Sequence, residues 1–507
     1  MAKPAIVFIG FMGAGKSTAL AAAREAGLET VEIDELMERE LGKPIREAFE
    51  QDGEEDFRAR EAEVVGGLLE NADGGAIALG GGSVLSERVR EALGRHIVVL
   101  LEIDAATAWK RIEGTDRPLA TSEADVEALL AERLPLYEEL ADAVVPVADK
   151  GVVARALPAI QALAEMPEGT RLLWASSASG DYPVFVGRDL LDTEWWPLEG
   201  RRFCITDENV EEYASRVGAE KVFAIPPGEK SKSLKQVEKA IFEMAGLGLT
   251  REDHVVAVGG GVVGDLGGFC AHIYQRGVPV VQVPTTVVAQ VDSAYGGKTG
   301  VDVDQLKNYA GAYQQPAAVF SDISTLESLP PRDLAAGFVE VIKTGLLAGG
   351  SLWRRVRETE AIAPDQLDDL VFACARYKCS VVAADERDAG LRHVLNLGHT
   401  VGHAIEGVSD FSYLHGEAIG LGLLAALRLS DAPDLRDQVR ELLSRFELPV
   451  TLDPGVSVGD VLAVLDRDKK RTAAGVGFVL LSEPGQPRTG QIVDPAKVRA
   501  AVEELYP

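Results

Sequence analysis

The chain has 507 residues, 46% of them hydrophobic and 26% charged, and its 51 basic and 80 acidic side chains give a formal charge of -29. This length predicts two or three compact units, and the composition excludes a disordered or fibrous protein. The negative charge argues against nucleic acid and membrane surfaces as partners, while four cysteines without C-x-x-C spacing fit a cytoplasmic protein without a disulfide framework.

The first part of the chain alternates short apolar runs with amphipathic stretches. The runs at 5–9, 75–79 and 97–103 predict buried strands, and stretches such as 17–26 predict helices between them. This alternation predicts an α/β domain with a parallel sheet and helices on both faces. The pattern pauses at a Glu-Met-Pro-Glu-Gly segment, so we place a first domain at residues 1–166.

Strand and helix patterns restart after this pause and then change character. Apolar runs alternate with helical patterns up to about residue 322, and from about residue 334 the pattern is largely helical. We therefore expect an α/β half at residues 171–332 and a mainly helical half at residues 333–507. A cleft between two such halves is a common place for a ligand.

The phosphate-binding pattern G-x-x-x-x-G-K-[ST] occurs at residues 10–17, between a predicted strand and a predicted helix. Its glycines let backbone N–H groups wrap a triphosphate, the lysine reaches the outer phosphates and the serine ligates Mg²⁺. The pattern therefore predicts a site for a nucleoside triphosphate such as ATP with Mg²⁺, formed by Gly13, Ala14, Gly15, Lys16, Ser17 and Thr18. Because P-loops also serve ATPases, GTPases and motors, the acceptor of the phosphate is open at this point.

Further motifs follow the P-loop in order: Glu32-Ile-Asp34, Phe57-Arg58, Gly80-Gly81-Gly82, Arg117-Pro-Leu and Arg133-Leu-Pro-Leu-Tyr137. Together they resemble shikimate kinase over roughly residues 3–165. The resemblance implies that shikimate is held by Asp34, Arg58, Gly80, Gly81, Gly82 and Arg133. It also implies that Arg111 lies near adenine, that Arg117 is a lid arginine, and that the catalytic residues are Lys16, Asp34 and Arg117. The family usually has aspartate where this chain has Glu32, so the role of Glu32 is open.

A second glycine pattern, G-x-G-x-x-G, occupies residues 259–264 after a predicted strand. It fits either a dinucleotide pyrophosphate at a helix N-terminus or a tight structural turn. No acidic residue ends a second strand about 20 residues later, which argues against an ordinary Rossmann domain.

Four of the seven histidines fall between residues 393 and 415. His399 and His403 share one face of a helix, a spacing that suits a divalent metal as well as two packed histidines. Glu340 and His415 could complete a His/His/Glu set and leave one histidine for proton transfer. Lysines embedded in these segments of an acidic chain predict a funnel for an anionic substrate: Lys298, Lys307, Lys343, Lys378, Lys469 and Lys470.

These segments, with Arg276-Gly277, Pro284-Thr-Thr286 and Arg392–Asn396, resemble 3-dehydroquinate synthase over roughly residues 175–490. The resemblance implies conversion of DAHP, a 3-deoxy keto-sugar-acid phosphate, to 3-dehydroquinate with loss of phosphate. It implies NAD⁺ that is regenerated in each turnover and one Zn²⁺ or Co²⁺ ion. The implied metal ligands are Glu340, His399 and His415.

The same resemblance implies the remaining contacts of the second half. His403 is the implied substrate-side histidine, and it is catalytic together with Lys298, Lys343 and Lys378. The implied DAHP contacts are Arg276 from a second subunit, Asp292, Lys298, Lys343, Lys378, Arg392 and Asn396. The implied NAD contacts are Pro227, Gly228, Glu229, Lys230, Ser231, Lys232, Gly261, Val262, Val263, Gly264, Asp265, Thr285, Thr286, Lys298, Lys307, Thr325, Leu326, Glu327 and Ser328.

The leading hypothesis is a bifunctional shikimate-pathway enzyme that forms a homodimer through its synthase half. One alternative makes the second half a zinc- and NAD-dependent polyol dehydrogenase, although a neutral polyol needs no lysine cluster. Another makes one half a non-catalytic nucleotide-binding module. His272 and Tyr295 depart from the family pattern, so their roles are open, as is the choice between Lys469 and Lys470 as a substrate contact.

Overall fold

A computed structural model gives the structure of the chain and describes residues 3–114, 122–304, 306–409, 412–466, 471–472 and 475–506. The chain divides into two compact units. The first unit comprises residues 1–176, 181–185 and 193–197, and the second comprises residues 177–180, 186–192 and 198–507. The predicted boundaries at 166 and 332 stay a prediction. None of the described helices combines the length and the apolar character that crossing a membrane requires.

The first 187 residues alternate strands and helices. The strands are β1 (Ile6–Ile9), β2 (Thr30–Glu32), β3 (Ala76–Ala78), β4 (Ile97–Glu102), β5 (Ala143–Pro146), β6 (Arg171–Ser177) and β7 (Gly180–Gly187). The helices are α1 (Lys16–Glu25), α2 (Ile33–Leu41), α3 (Ile45–Asp52), α4 (Glu54–Asn71), α5 (Glu87–Leu93), α6 (Ala105–Ile112), α7 (Glu123–Leu140) and α8 (Val152–Ala162).

The sheet of the first unit runs in the order β2-β3-β1-β4-β5, with parallel neighbours and β6 beside β5. Strands β1 and β3 are buried along their whole length, as apolar runs covered on both faces require. Because β1, β2 and β3 are parallel, the segments that follow them meet at one edge of the sheet. That edge carries the P-loop, Asp34 and the glycines at 80–82.

The described residues of the α/β part of the second unit form seven strands and three α-helices. The strands are β8 (Arg202–Asp207), β9 (Lys221–Ile225), β10 (His254–Gly259), β11 (Val280–Pro284), β12 (Lys298–Val303), β13 (Leu306–Tyr313) and β14 (Ala318–Asp322). The helices are α9 (Glu211–Ala214), α10 (Leu234–Gly246) and α11 (Gly261–Ile273). Parallel strands follow the order β14-β11-β10-β8-β9, and β12 pairs with β13 in an antiparallel hairpin.

Helix α11 lies unusually close to its neighbours because its glycines have no side chain. A Cβ atom at Gly267 would lie 2.8 Å from Cβ of Ala257 in β10, and one at Gly268 would lie 2.3 Å from Cγ2 of Thr299 in β12. The buried residues Val263 and Leu266 complete this contact on the side of the core. The close packing fixes the N-terminus of α11 at the carboxyl end of β10.

From residue 331 onward the chain is mainly helical. The helices are α12 (Pro331–Ala348), α13 (Gly350–Glu358), α14 (Asp368–Ala384), α15 (His399–Val408), α16 (His415–Leu429), α17 (Pro433–Arg445), α18 (Val458–Asp466) and α19 (Pro495–Glu503). A small antiparallel sheet, which the sequence analysis did not predict, contains β15 (Arg471–Thr472), β16 (Gly475–Leu481) and β17 (Pro487–Ile492). The predicted class is otherwise confirmed: an α/β P-loop unit, then an α/β half and a mainly helical half.

Candidate active sites

The P-loop of the first unit connects β1 to α1 through backbone that favours glycine. Gly10, Gly13 and Gly15 have φ values of +141°, +79° and +87°, and Gly15 lies immediately before the first residue of α1. The ammonium of Lys16 donates to the carbonyl oxygens of Gly10 at 2.9 Å and Phe11 at 3.2 Å. The loop therefore curls around its own lysine at a helix N-terminus, an arrangement suited to phosphate.

Two more predicted nucleotide contacts border this loop. The hydroxyl of Ser17 contacts the carboxylate of Glu32 at the end of β2, so the longer acid still reaches the predicted magnesium ligand. Arg111 in α6 donates to the carbonyl of Gly13 at 3.0 Å. Arg117 lies outside the described residues.

The predicted shikimate contacts come together around the three glycines that follow β3. Cβ at Gly80 would lie 3.4 Å from Oδ1 of Asp34, and Cβ at Gly82 would lie 2.5 Å from the guanidinium of Arg58. The buried Arg133 donates to the carbonyl of Gly81 at 3.3 Å. Residues more than 50 positions apart in the chain thus border one site with two arginines and one acid.

Two residues support this site without having been predicted to do so. Glu61 is buried, accepts from Arg58 Nη1 at 2.6 Å and accepts from the Ser83 hydroxyl at 2.7 Å. Tyr137 donates to the Gly81 carbonyl at 2.6 Å, and burial raises the pKa of its hydroxyl, which therefore stays protonated. An acid three residues after Arg58 on its helix is the sequence signal that could have identified Glu61.

A candidate metal site lies in the second unit, where α12, α15 and α16 meet. The nitrogen ligand atoms of His399, His403 and His415 all lie within 4.8 Å of one another. Oε1 of Glu340 is 3.6 Å from Nε2 of His399 and 3.5 Å from Nε2 of His415. Glu340 and His399 are buried, whereas His403 is exposed. One carboxylate and two imidazoles therefore converge, and a third imidazole lies at the open side.

The charges around this site set the protonation of its ligand atoms. Burial opposes ionisation of Glu340, but the charge of Lys343 holds its pKa at about 2. Burial and the charge of Lys343 push the pKa of His399 well below its usual range. Burial opposes protonation of His415 as well, but the carboxylates of Glu340 and Glu406 raise its pKa to about 9. A cation bound here would therefore displace a proton from His415.

Asp292 lies between two buried lysines next to the histidines, in a π-helix over Ala289–Ser293. Its Oδ2 is 3.0 Å from Nζ of Lys343, which is also 2.5 Å from Oε2 of Glu340, and its Oδ1 contacts Nζ of Lys378. Burial opposes ionisation of Asp292, but the two ammonium groups hold its pKa well below the usual range. Burial lowers the pKa of Lys378, and Lys343 and Arg392 add to that shift.

Arg392 is the third cation of this cluster and is held by backbone carbonyls. Its Nη1 donates to Gly296 at 3.0 Å and to Glu386 at 2.8 Å. Cβ at Gly296 would lie 2.5 Å from Nη2 of Arg392, so only glycine leaves room for the guanidinium. Asn396, at the end of the same 3-10 helix, donates to the carbonyl of His393 at 3.2 Å. Three cations and two carboxylates thus give this cluster a net positive charge.

Two predicted substrate residues lie further out. Lys298 at the start of β12 is exposed and contacts the carboxylate of Asp388, which the sequence analysis did not identify. Arg276 is exposed in the turn after α11 and has a left-handed φ of 71°.

The glycine pattern after β10 forms a tight cradle at the N-terminus of α11. Cβ at Gly260 would lie 3.0 Å from Cγ2 of Thr286, and Cβ at Gly261 would lie 3.2 Å from the hydroxyl of Ser293. Glycine backbone at the N-terminus of a 13-residue helix is a good place for a phosphate. Both interpretations of the pattern are therefore compatible with its geometry, since the turn is tight and its N–H groups point out of a helix end.

Charged residues line this cradle. Lys232 Nζ lies 2.7 Å from Oε1 of Glu229 and 3.4 Å from Oδ2 of Asp265 in α11. Burial raises the pKa of Asp265 to about 6 against the lowering effect of Lys232. Lys307 in β13 lies 3.0 Å from Oε1 of Glu406. The predicted segment Pro227–Lys232 follows β9 and enters a 3-10 helix at residue 229.

The last predicted nucleotide contacts follow β11 and β14. Thr285 is buried directly after β11. Thr325, Leu326, Glu327 and Ser328 end a 3-10 helix that follows β14, and Thr325 donates to the carbonyl of Asp322 at 2.7 Å. Thr325 and Leu326 are fully buried, so their side chains support this corner from within, whereas Glu327 pairs with Arg188 at 3.1 Å.

Tyr295 and His272, the two residues of the second unit that depart from the family pattern, both have hydrogen-bond partners there. The hydroxyl of the buried Tyr295 donates to the Gln290 carbonyl at 2.6 Å and lies 2.8 Å from the hydroxyl of Ser321. His272 Nδ1 lies 3.0 Å from Oε1 of Gln314. Tyr295 thus ties the π-helix that carries Asp292 to β14. Lys469 and Lys470 lie outside the described residues.

Comparison with known families matches each part of the chain separately. A family model described as shikimate kinase matches residues 12–162. Models described as 3-dehydroquinate synthase N-terminal and C-terminal match residues 222–336 and 337–471. The 3-dehydroquinate synthase of Symbiobacterium thermophilum is 40% identical over 349 residues, which cover 64% of this chain and 98% of that protein.

Solved structures match in the same two parts. A 2-deoxy-scyllo-inosose synthase complexed with carbaglucose-6-phosphate, NAD⁺ and Co²⁺ has 25% identity and a TM-score of 0.61, covering 66% of this chain and 99% of that one. A shikimate kinase from Acinetobacter baumannii in complex with shikimate has 33% identity and a TM-score of 0.30, covering 32% of this chain and 92% of that one.

Proposed function

Because this chain belongs to the 3-dehydroquinate synthase family and carries a shikimate kinase unit in front of it, we propose a separate set of residues for each activity. The chain is a bifunctional shikimate-pathway enzyme. It phosphorylates shikimate with ATP, and it converts DAHP to 3-dehydroquinate with release of phosphate. We further propose its residue roles, its cofactors and its subunit arrangement.

In the kinase unit, the P-loop holds the triphosphate and the glycine edge holds shikimate. The backbone of residues 13–18 and the ammonium of Lys16 bind phosphate oxygens, and Ser17 with Glu32 binds the Mg²⁺ that neutralises their charge. Arg58 and Arg133 bind the carboxylate of shikimate, because two guanidinium groups match a carboxylate in geometry and charge. Oδ1 of Asp34 accepts a hydrogen bond from the shikimate hydroxyl that attacks ATP, and so orients that hydroxyl. Arg111 borders the adenine, and Arg117 stays a predicted lid residue.

In the synthase unit, Glu340, His399 and His415 are the proposed metal ligands. Two imidazole nitrogens and one carboxylate oxygen are donors that suit a catalytic Zn²⁺ or Co²⁺ ion, and the exposed His403 would stay available to the substrate. The ion would polarise a substrate oxygen, and NAD⁺ in the cradle of α11 would accept and return a hydride. The exposed ring of His403 can receive or return a substrate proton at one of its ring nitrogens.

The Asp292 cluster binds the charged groups of DAHP. Lys343, Lys378 and Arg392 hold net positive charge in a buried setting, where it attracts an anion strongly. Asp292 keeps both ammonium groups ionised and fixes their direction. Lys298 and Asn396 are proposed as further substrate contacts at the exposed side. There the ion pair between Lys298 and Asp388 would break as the substrate enters.

The proposed cofactor contacts of the synthase unit surround α11. Gly261, Val262, Val263, Gly264 and Thr286 would approach the pyrophosphate, since helix N-termini bind phosphate. Lys232 and Lys307 add positive charge beside it. Arg276 would reach the substrate of a second subunit, so we also propose a homodimer through the synthase unit.

The observation that carries this proposal is the convergence of Glu340, His399 and His415 next to the Asp292 cluster. A polyol dehydrogenase could use a similar metal set, but a neutral polyol offers nothing to the cations of that cluster. A substrate with a phosphate and a carboxylate accounts for both features.

Two substitutions in the full-length chain test the assignment. Lys16→Ala should lower shikimate-dependent ADP formation by about 10²-fold or more and leave phosphate release from DAHP unchanged. His399→Ala should have the reverse effect. Lys110→Ala and Asp431→Ala, which remove exposed charged side chains, are controls outside both sites. Loss of both activities in either variant, with circular dichroism unchanged, would contradict two independent sites.

A metal chelator tests the proposed cofactors of the synthase unit in the same two assays. With excess Mg²⁺ present, a chelator selective for transition metals should stop phosphate release and spare ADP formation. Added Zn²⁺ or Co²⁺ should restore the lost activity, and NAD⁺ should show no net reduction over many turnovers. Phosphate release that persists in the chelator would argue against a metal at Glu340, His399 and His415.

A further inference from the structure

Glu406 lies beside the proposed metal site and has no role in the assignment above. It follows His399 by seven positions and His403 by three in α15, so the three side chains share one helix face. Its side chain is buried, and its Oε2 lies 3.6 Å from Nδ1 of His415 at the start of the next helix. A buried carboxylate at this place requires a partner, and His415 is one of the two that the described residues provide.

His415 lies between two carboxylates, one at each ring nitrogen. Nε2 faces Oε1 of Glu340 at 3.5 Å, and Nδ1 faces Oε2 of Glu406 at 3.6 Å. Both distances exceed those of good hydrogen bonds, so these are electrostatic contacts that a small ring movement would tighten. A neutral imidazole that gives one nitrogen to a cation carries its proton on the other, and this proton needs an acceptor. Glu406 is placed to accept it.

Lys307 connects Glu406 to the cradle of α11. Its Nζ lies 3.0 Å from Oε1 of Glu406 and 4.0 Å from Oε1 of Glu229. Glu229 lies 2.7 Å from Lys232, which lies 3.4 Å from Asp265 of α11. Charges of alternating sign therefore run from the cradle to the proposed metal site, and Lys307 is shared between the carboxylates of the two sides.

We infer that Glu406 is a positioning residue for the metal-binding ring of His415, and that Lys307 links its position to occupancy of the cradle by a dinucleotide. This inference rests on the proposed function of the synthase unit. A dinucleotide phosphate attracts the ammonium of Lys307 away from Glu406, and a cation on Nε2 of His415 draws Glu406 toward Nδ1. Both ligands favour the same arrangement of these side chains, so each tightens the binding of the other.

Reciprocal titrations of the metal-free full-length chain measure this link. The dissociation constant of Co²⁺ is determined by calorimetry with and without saturating NAD⁺, and that of NAD⁺ with and without Co²⁺. Excess Mg²⁺ competes with Co²⁺ for the proposed magnesium ligands Ser17 and Glu32, and the visible absorption of Co²⁺ reports its ligand geometry. In the unchanged chain each ligand should lower the dissociation constant of the other by about tenfold. The two factors must agree because coupling is reciprocal.

Substitutions at Glu406 and Lys307 should separate positioning from coupling. Glu406→Gln should weaken the binding of Co²⁺ by about 10-fold or more, alter the visible spectrum of the bound Co²⁺ and reduce the coupling factor to about one. Lys307→Met should keep Co²⁺ affinity within about threefold in the absence of NAD⁺ and lose the coupling, and Lys307→Arg should restore it. Coupling that survives in both Glu406→Gln and Lys307→Met would overturn the inference, as would unchanged Co²⁺ affinity in Glu406→Gln.

A matched control removes a different buried carboxylate, at the start of the helix that carries His415. Glu417 is buried in α16, two residues after His415, and pairs with Arg332 at 2.7 Å. Glu417→Gln should leave both dissociation constants and the coupling factor unchanged within about twofold. If it removed the coupling as Glu406→Gln does, the effect would come from the fold of this helix and the inference would fail.

The outcomes distinguish this inference from the function on which it rests. If the unchanged chain bound neither Co²⁺ nor NAD⁺ and released no phosphate from DAHP, the proposed function of the synthase unit would be wrong. If it bound both and released phosphate, but with a coupling factor of one, only the inference would be wrong. Shikimate-dependent ADP formation should stay constant in every variant and serves as an internal check of the chain.

Discussion

Replacing Asp292 by asparagine should destabilise the second unit by removing the charge between two buried lysines. The substitution keeps the shape of the side chain. Lys343 retains Glu340 at 2.5 Å, but Lys378 loses the carboxylate that the structure places against it. Lys378 is then left beside two cations, Lys343 and Arg392, whose charges already contribute to its lowered pKa. The main destabilising effect is therefore the uncompensated charge of Lys378.

Two estimates agree on the size of this loss. Removing one partner of a buried ion pair costs about 3–5 kcal/mol, because an uncompensated charge remains. Lys378 can avoid that cost by releasing its proton, which from an ordinary lysine pKa of about 10.4 costs about 5 kcal/mol at pH 7. The free energy of unfolding of the second unit should thus fall by about 3–5 kcal/mol at pH 7.

The loss should shrink as the pH rises. In the variant, the pKa of Lys378 is lower in the folded state than in the unfolded state, so the unfolded state binds the additional proton. Stability therefore increases with pH up to the unfolded pKa of about 10.4, by at most about 1.4 kcal/mol per pH unit. The variant should accordingly recover part of its deficit between pH 7 and pH 9.

Urea unfolding at pH 7 and pH 9, with metal chelated, measures the free energy of unfolding of each variant. Hydrogen exchange of peptides from α12 and α14 then locates the change in the second unit. Asp431→Asn is the control, because Asp431 is 88% exposed and 3.8 Å from Arg428, and it should change stability by less than about 0.5 kcal/mol. The reasoning is refuted if Asp292→Asn lies within about 1 kcal/mol of the unchanged chain, or if its deficit is the same at both pH values.

Two further predictions concern each unit in turn. Gly82→Ala places a Cβ 2.5 Å from the Arg58 guanidinium, so steady-state kinetics should show about a tenfold higher KM for shikimate and an unchanged KM for ATP. Gly67→Ala, whose Cβ would meet nothing within 4 Å, is its control, and an unchanged shikimate KM in Gly82→Ala would contradict the placement of Arg58. Burial lowers the pKa of His254 to about 4, so the folded state rejects a proton that the unfolded state binds below an ordinary pKa of about 6.5. The unfolding free energy should therefore fall by about 3 kcal/mol as the pH drops through this range, and His254→Gln should lack that part of the pH profile measured by urea unfolding.

The sequence by itself determined the features that depend on neighbouring residues. The P-loop could be predicted because its glycines, Lys16 and Ser17 are contiguous, and their backbone forms the site. The common face of His399 and His403 follows from helical periodicity. The alternation of apolar runs and helices predicted the α/β class, since each element must bury its own apolar side.

Contacts between remote segments were decided only by the tertiary structure. No spacing indicates that Asp292 lies between Lys343 and Lys378, or that Glu61, which is one helical turn from Arg58, also accepts a hydrogen bond from Ser83. The strands β15 to β17 were missed because short strands in a helical context leave a weak pattern.

Glu406 illustrates the same limit at the proposed metal site. Its position in α15 predicts which face it shares with His399, but not that Lys307 and His415 lie opposite it. A helix fixes the direction of its side chains through local geometry, whereas the partner that each one meets depends on how distant helices and strands pack together. The ligand types could thus be read from the sequence, and the charges that hold them in place came from the packing of the second unit.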